Sequence, residues 1–249
     1  MFVLLPPSET KRPGGDGPPI DLGALALPSL RPLREQVVDG LIALSADEDA
    51  SARVLKLSAR RLHEIADNAA LRSAATLPAV DRYTGVLFDA LDAGTLDASA
   101  RAWLGSHVLI HSAPFGPVGA LDGIPVYRLA ASTSLPGLPS PRRIWADAVT
   151  TAMGRARPDF VVDLRSEAYA ALGPVPADVD GVYVRVVSES SDGTVRALNH
   201  FNKKAKGHLA RALASTDAQI GSRGALVEWA RSQGIVMRDR GVGEVELLV

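Results

Sequence analysis

Four short, mostly apolar runs constrain this chain more than any other feature: Phe2-Val-Leu-Leu5, Val108-Leu-Ile110, Phe160-Val-Val-Asp-Leu164 and Val182-Tyr-Val-Arg-Val-Val187. Runs of this length read as strands buried on both faces, and the segments between them carry helical periodicity, so helices must cover both sides of a sheet. Arg31 to about Ala43 places Leu33, Val37, Leu41 and Leu44 three and four apart. Arg142 to about Ala156 does the same with Ile144, Trp145, Ala148, Val149 and Ala152. Asp47, Glu48 and Asp49 open another helix, Asp97 to Leu104 forms one more, and Ser58 is read as the N-cap of a short helix bearing Leu62 and Ile65. Asn202 to about Ala214 and Ser222 to about Gln233 are the last two helices. Val126 to Leu129 is read as a strand, Ser112 to Gly119 as a break in regular structure, and Val182–Val187 with Val195–Leu198 as a hairpin around Ser191-Asp192-Gly193. Ile235–Met237 is expected to pair with Val245–Val249. The fold class is therefore α/β, one domain spanning 1–249, a mixed sheet flanked by helices.

Composition narrows the chemistry. The 249 residues contain no cysteine, which removes disulfides, thiolate metal sites and a Cys nucleophile. His107 and His111 lie four apart, but the apolar run between them is a strand rather than a helix, and no third ligand follows, so no metal and no cofactor is expected. The net charge of −1 gives no global pull toward nucleic acid, so a polyanion has to be held by a local patch. The apolar start before Pro6-Pro7 is too short for a secretion signal and no segment has the length of a membrane span, so a cytoplasmic protein with no membrane partner is expected.

That local patch exists. No acid occurs between Asp192 and Asp217, while Arg196, His200, Lys203, Lys204, Lys206, His208 and Arg211 crowd together, and three of the chain's five lysines stand in Asn202-Lys-Lys-Ala-Lys-Gly207. At the first turn of a helix such cations oppose the dipole unless an anion sits among them, so Asn202, Lys203, Lys204, Lys206, His200 and Arg211 are candidate phosphate or DNA contacts. The plain alternative is a solvated basic helix. A second candidate is the loop after the first strand, with Ser8, Lys11 and Arg12 ahead of Gly14-Gly-Asp-Gly17, because the crevice at the carboxyl ends of strands is where α/β sheets bind ligands. A third is Asp163 to Tyr169, where a buried strand hands over to a helix. Asp163 and Glu167 are candidate acid or base there, with Ser166 as N-cap the structural alternative.

In order along the chain, Leu4-Leu-Pro-Pro-Ser-Glu-Thr-Lys11, Val54-Leu-Lys-Leu-Ser58, Tyr83-Thr-Gly85, Phe115-Gly116 with Tyr127-Arg128, Ile144-Trp-Ala-Asp147, Val161-Val-Asp-Leu164 with Ser166-Glu-x-Tyr169, and His200-Phe-Asn-Lys-Lys-Ala-Lys-Gly207 resemble the YaaA family of peroxide stress proteins over the whole length. The resemblance implies a compact α/β fold with a positively charged cleft, a cytoplasmic role in the response to hydrogen peroxide, binding of double-stranded DNA and limitation of free intracellular iron. Arg128 joins the candidate phosphate contacts on this ground, and Tyr83 the candidate acids or base-edge readers. The family's helix-hairpin-helix is expected over Leu57 to Ala70, which here lacks the apolar-Gly-apolar hairpin. The alternative function is an enzyme acting on a nucleotide or another phosphorylated small molecule in the same cleft, which calls for a pocket rather than an open groove.

Overall fold

The computed structural model describes residues 1–189, 195–196, 199–241 and 243–249, and for 188–189, 195–196 and 199–201 the backbone alone. The strands are β1 (Phe2–Leu5), β2 (Leu77–Pro78), β3 (Val108–Ser112), β4 (Gly116–Gly119), β5 (Gly123–Ile124), β6 (Val161–Asp163), β7 (Gly181–Glu189), β8 (Val195–Arg196), β9 (Met237–Asp239) and β10 (Glu244–Leu248). The helices are α1 (Arg31–Leu44), α2 (Glu48–Leu55), α3 (Glu64–Ala69), α4 (Ala79–Arg82), α5 (Val86–Leu91), α6 (Ala98–His107), α7 (Pro141–Ala156), α8 (Glu167–Ala170), α9 (Asn199–Ser215) and α10 (Arg223–Ser232).

The main sheet runs β4-β3-β1-β6-β7-β10-β9, with β8 attached to the end of β7. β3, β1, β6, β7 and β10 are mutually parallel, and the two rim strands β4 and β9 are antiparallel to their neighbours. The parallel centre explains the uninterrupted apolar runs: Val3, Leu5, Val108, Ile110, Val161, Val162 and Val184 are buried because both faces of the sheet are covered. The caps follow the chemistry of the sequence, with Asp47, Asp97 and Ser222 each accepting a backbone N–H three residues on, from Ala50, Ala100 and Ala225. The chain forms one compact α/β domain.

Four local expectations change. Ser112–Gly119 is a tight β3–β4 hairpin: Ser112 Oγ accepts from Phe115 N and donates to Gly116 O, and Gly116 takes φ 62° against Trp145, so the Gly and Pro that suggested a break instead make the turn. Val126–Leu129 is extended but has no strand neighbour. The Asn68 side chain takes that place, accepting from Arg128 N and donating to Arg128 O, and the predicted alternation persists in the burial of Tyr127 and Leu129. Ser58 begins a 3-10 turn over 59–61 with no side-chain cap bond, and α3 starts only at Glu64. Finally α9 begins at Asn199, so Lys203 and Lys204 stand one turn inside the helix and not in its first turn, which removes the dipole penalty invoked for them. The Ser191-Asp192-Gly193 turn and Ala197-Leu198 lie outside the described residues.

Candidate functional site

The order of the sheet fixes where a ligand cavity belongs. The chain leaves β1 toward β3 on one side and leaves β6 toward β7 on the other, so the connections diverge between the neighbours β1 and β6. A crevice outside their carboxyl ends is the usual result. A cavity of about 750 Å³ opens there. Its floor is Pro6–Glu9 after β1 and Leu164 with Ser166–Tyr169 after β6. One wall is Tyr183–Val186, the part of β7 that runs on past the end of β6, since Asp163 pairs with Tyr183. Asn202, Lys203 and Lys206 of α9 form another wall and Leu129–Ser132 a third.

Beneath the floor lies a buried charge network. Arg165, 1 % exposed, grips Asp163 with two parallel bonds, Nε to Oδ1 at 2.9 Å and Nη2 to Oδ2 at 2.7 Å, and its backbone N–H also donates to Oδ1 at 3.0 Å. Fork-to-carboxylate pairing of this kind offsets the cost of burying both charges. Arg165 Nη1 stands 3.0 Å from His111 Nδ1, and because a guanidinium only donates, Nδ1 must accept and the imidazole proton sits on Nε2. Burial first, and the Arg165 charge second, hold His111 well below the ordinary imidazole range, so it stays neutral. Arg165 O in turn accepts from Lys206 Nζ at 3.2 Å and from Tyr183 OH at 3.0 Å. The network thus fixes two side chains of the cavity wall.

The loop after β1 is tied down from the other side. Lys11 Nζ donates to Ser8 O and Glu9 O, each at 3.2 Å, and lies 4.0 Å from the centre of the Tyr127 ring, while the Tyr83 and Tyr127 hydroxyls meet at 2.8 Å. Burial, and next the Arg128 charge, lower the Lys11 ammonium to about 7. Burial raises the Tyr83 and Tyr127 phenols. Arg128 bridges Glu9 at 3.4 Å and Glu64 at 3.6 Å. Gly85, at φ 97°, lets Ser8 Oγ and Thr10 Oγ1 approach; a Cβ there would stand 3.3 Å from each.

Of the residues singled out in the sequence, the structure therefore brings Ser8, Glu167, Asn202, Lys203 and Lys206 to one cavity. Asp163 lies just under it, but both of its oxygens are committed to Arg165, so it does not stand free as a base. Tyr83, Lys11 and Arg128 form the packed layer behind the Ser8 loop, and Arg12 is exposed with its backbone paired to Arg82. Arg211 is turned inward, donating to Leu91 O, Asp92 O and Thr95 Oγ1 and so closing the end of α5. Lys204 is exposed away from the cavity lining, and the His200 side chain lies outside the described residues. Ser166 occupies the N-cap position of α8 without a side-chain cap bond and lines the cavity. Arg165 and Tyr169 lie in the candidate stretch Asp163 to Tyr169 without a role of their own in it, and Tyr183 is read in the sequence only as part of a strand. The available signal was an arginine two residues beyond a strand-end aspartate in an apolar stretch, a charge that has to find a partner when buried. Among the described residues no three of His, Asp and Glu converge as a metal site would require.

A family model described as peroxide stress protein YaaA matches residues 1–234. The chain belongs to the YaaA peroxide stress protein family. Relatives agree over nearly full length: a UPF0246 protein of Corynebacterium efficiens is 43% identical over 241 residues, covering 95% of this chain and 94% of its own. A UPF0246 protein of Corynebacterium glutamicum is 40% identical over 243 residues, 96% of this chain and 95% of its own. One from Streptomyces coelicolor is 39% identical over 238 residues, 94% and 90%. The YaaA assignment makes this a peroxide stress-related protein, and no helix among its described residues is long and apolar enough to cross a membrane.

Proposed function

We propose that this YaaA-family protein serves the peroxide response, in the cytoplasm, by binding one phosphorylated, nucleotide-sized group in the switch-point cavity. The observation that carries the reading is the convergence of Lys203, Lys206 and the uncapped Ser166 on a cavity of about 750 Å³ at the β1–β6 crevice. That volume falls in the range of small-molecule sites, about 300–1,000 Å³. Lys203 meets the phosphate with Lys206 beside it, Ser8 and Ser166 offer hydroxyls, and Tyr169 and Tyr183 supply aromatic edges for a base or sugar. Glu9 and Glu167 also line the cavity, which suits a ligand carrying hydroxyl or amino donors besides its phosphate.

Double-stranded DNA held along α9 is the second reading, favoured by the exposure of Lys203, Lys204 and His208 on that helix. It has fewer cations to draw on than the sequence promises, because Lys206, Arg211, Arg128 and Lys11 are occupied inside the fold. Limitation of iron is assigned to no residue of the chain. The test is thermal stability against nucleoside mono- and diphosphates and against duplex DNA at two salt concentrations, since binding to the folded state raises stability by RT ln(1 + [L]/Kd). A nucleotide-induced rise supports the cavity reading. A rise with duplex alone, lost at the higher salt, supports the α9 track and overturns it.

A further inference from the structure

We propose that Lys206 is an amine nucleophile that condenses with an aldehyde carried on a phosphorylated sugar, holding it in the cavity as an imine; the sugar's phosphate is the group read above, so the substrate class rests on that reading. Lys206 is 4 % exposed yet lines the cavity. Its Nζ is aimed by two fixed features, the Arg165 carbonyl at 3.2 Å and the face of the Tyr183 ring, whose centre lies 5.2 Å away. Both belong to the network anchored by Asp163 and His111, so the nitrogen is positioned by buried structure and not by a solvated loop. Lys203, one turn earlier on α9, lines the same cavity and supplies a separate cation for the phosphate.

The chemistry needs a neutral amine. Burial foremost, and then Arg185, lower the Lys206 ammonium to about 8 against the opposing pull of Asp163 and Glu167. About one-tenth is then free amine at pH 7. That amine keeps one N–H on Arg165 O and directs its lone pair at the carbonyl carbon. A C–N bond forms, the carbonyl oxygen takes up a proton, and loss of water carries off that oxygen with both amine hydrogens, leaving C=N. No oxidant or reductant takes part.

The other four lysines are internal controls. Lys11 is the sharpest, since its ammonium is lowered to about 7, yet it faces the Tyr83–Tyr127 pair and does not line the cavity. The full chain is incubated with 2-deoxyribose 5-phosphate and sodium cyanoborohydride near neutral pH, and the reduced adduct is located by peptide mass mapping. The expected result is one adduct per chain on Lys206, at least tenfold above that given by 2-deoxyribose. It should be absent from Lys206→Arg, which keeps the charge and whose fold is checked by circular dichroism. Label on Lys11, or spread over Lys56, Lys203 and Lys204, or no label, overturns the proposal. A nucleotide-induced thermal shift with Lys206 unlabelled sinks the imine and leaves phosphate binding standing; equal labelling of Lys206 by the unphosphorylated sugar does the reverse.

Discussion

Arg165 ties together four side chains at this site. One guanidinium holds Asp163 and His111, and the backbone carbonyl of the same residue holds Lys206 and Tyr183. Replacing Asp163 with Asn leaves that guanidinium buried without its counter-charge, which should cost about 3–5 kcal/mol in urea denaturation. A loss below about 1 kcal/mol would mean the pair is not structural. pH acts on the same layer. His111 refuses a proton in the folded state that the unfolded chain accepts near 6.5, so stability falls as pH drops below that value. Lys11 works in the same sense at higher pH: the unfolded chain keeps its proton up to 10.5, the folded amine only to about 7, so stability rises between those values. The slope is up to about 1.4 kcal/mol per pH unit for one such group. Lys206 adds to it from about 8, and the raised Tyr83 and Tyr127 phenols turn the curve down above about 10. Denaturation at pH 7, 8.5 and 10 should show the rise and its flattening in Lys11→Met; an identical profile in the variant would contradict it. The lysines and Asp163 were visible in the sequence as charges at strand and helix ends. Their pairings were not, because spacing along the chain does not say that Arg165 folds back on Asp163 or that Lys11 points inward.

At the scale of elements, α9 is seated on α5 through Gly207, where an added Cβ would stand 2.2 Å from Leu87 O and 2.8 Å from the Ala90 Cβ. Gly207→Ala should therefore destabilise by about 1–3 kcal/mol despite alanine's better helix propensity, because the two helices have to part. Gly224, in the first turn of α10 with open space around it, is the control: Gly224→Ala should leave stability unchanged or raise it by up to about 1 kcal/mol. Thermal denaturation of both variants decides this, and equal effects would show that the α5–α9 approach is not tight. Asn68→Ala removes both bonds that hold Arg128 in the extended segment over Leu129–Ser132 and should loosen that cavity wall, read as a loss of about 1–3 kcal/mol. Helices were legible because caps and three-to-four periodicity are local. The 126–129 segment was misread because its alternation is a property of burial, and a side chain can satisfy an extended backbone as well as a neighbouring strand can. The start of α9 was misplaced because Asn199 and Asn202 offer the same cap signal three residues apart.

Over the whole molecule, strand order converts local signals into a site. Buried apolar runs gave the α/β class, but nothing in them told that β1 would lie between β3 and β6, which is what puts Ser8, Glu167 and Lys206 beside one cavity. Pairing between strands far apart in the chain is set by tertiary packing. The central claim is that α9 presents Lys203 as a cation to a compact ligand in the cavity and does not lay a row of cations along a polymer. Lys203 and Lys204 are chain neighbours that separate the two cases, since Lys203 lines the cavity and Lys204 does not. The measurement is calorimetric titration of the wild type, Lys203→Ala and Lys204→Ala with the nucleotide that gives the largest thermal shift. Loss of a charge-assisted contact predicts an affinity about ten- to a hundredfold weaker for Lys203→Ala and unchanged for Lys204→Ala. Equal weakening of both, or none in either, would contradict the account.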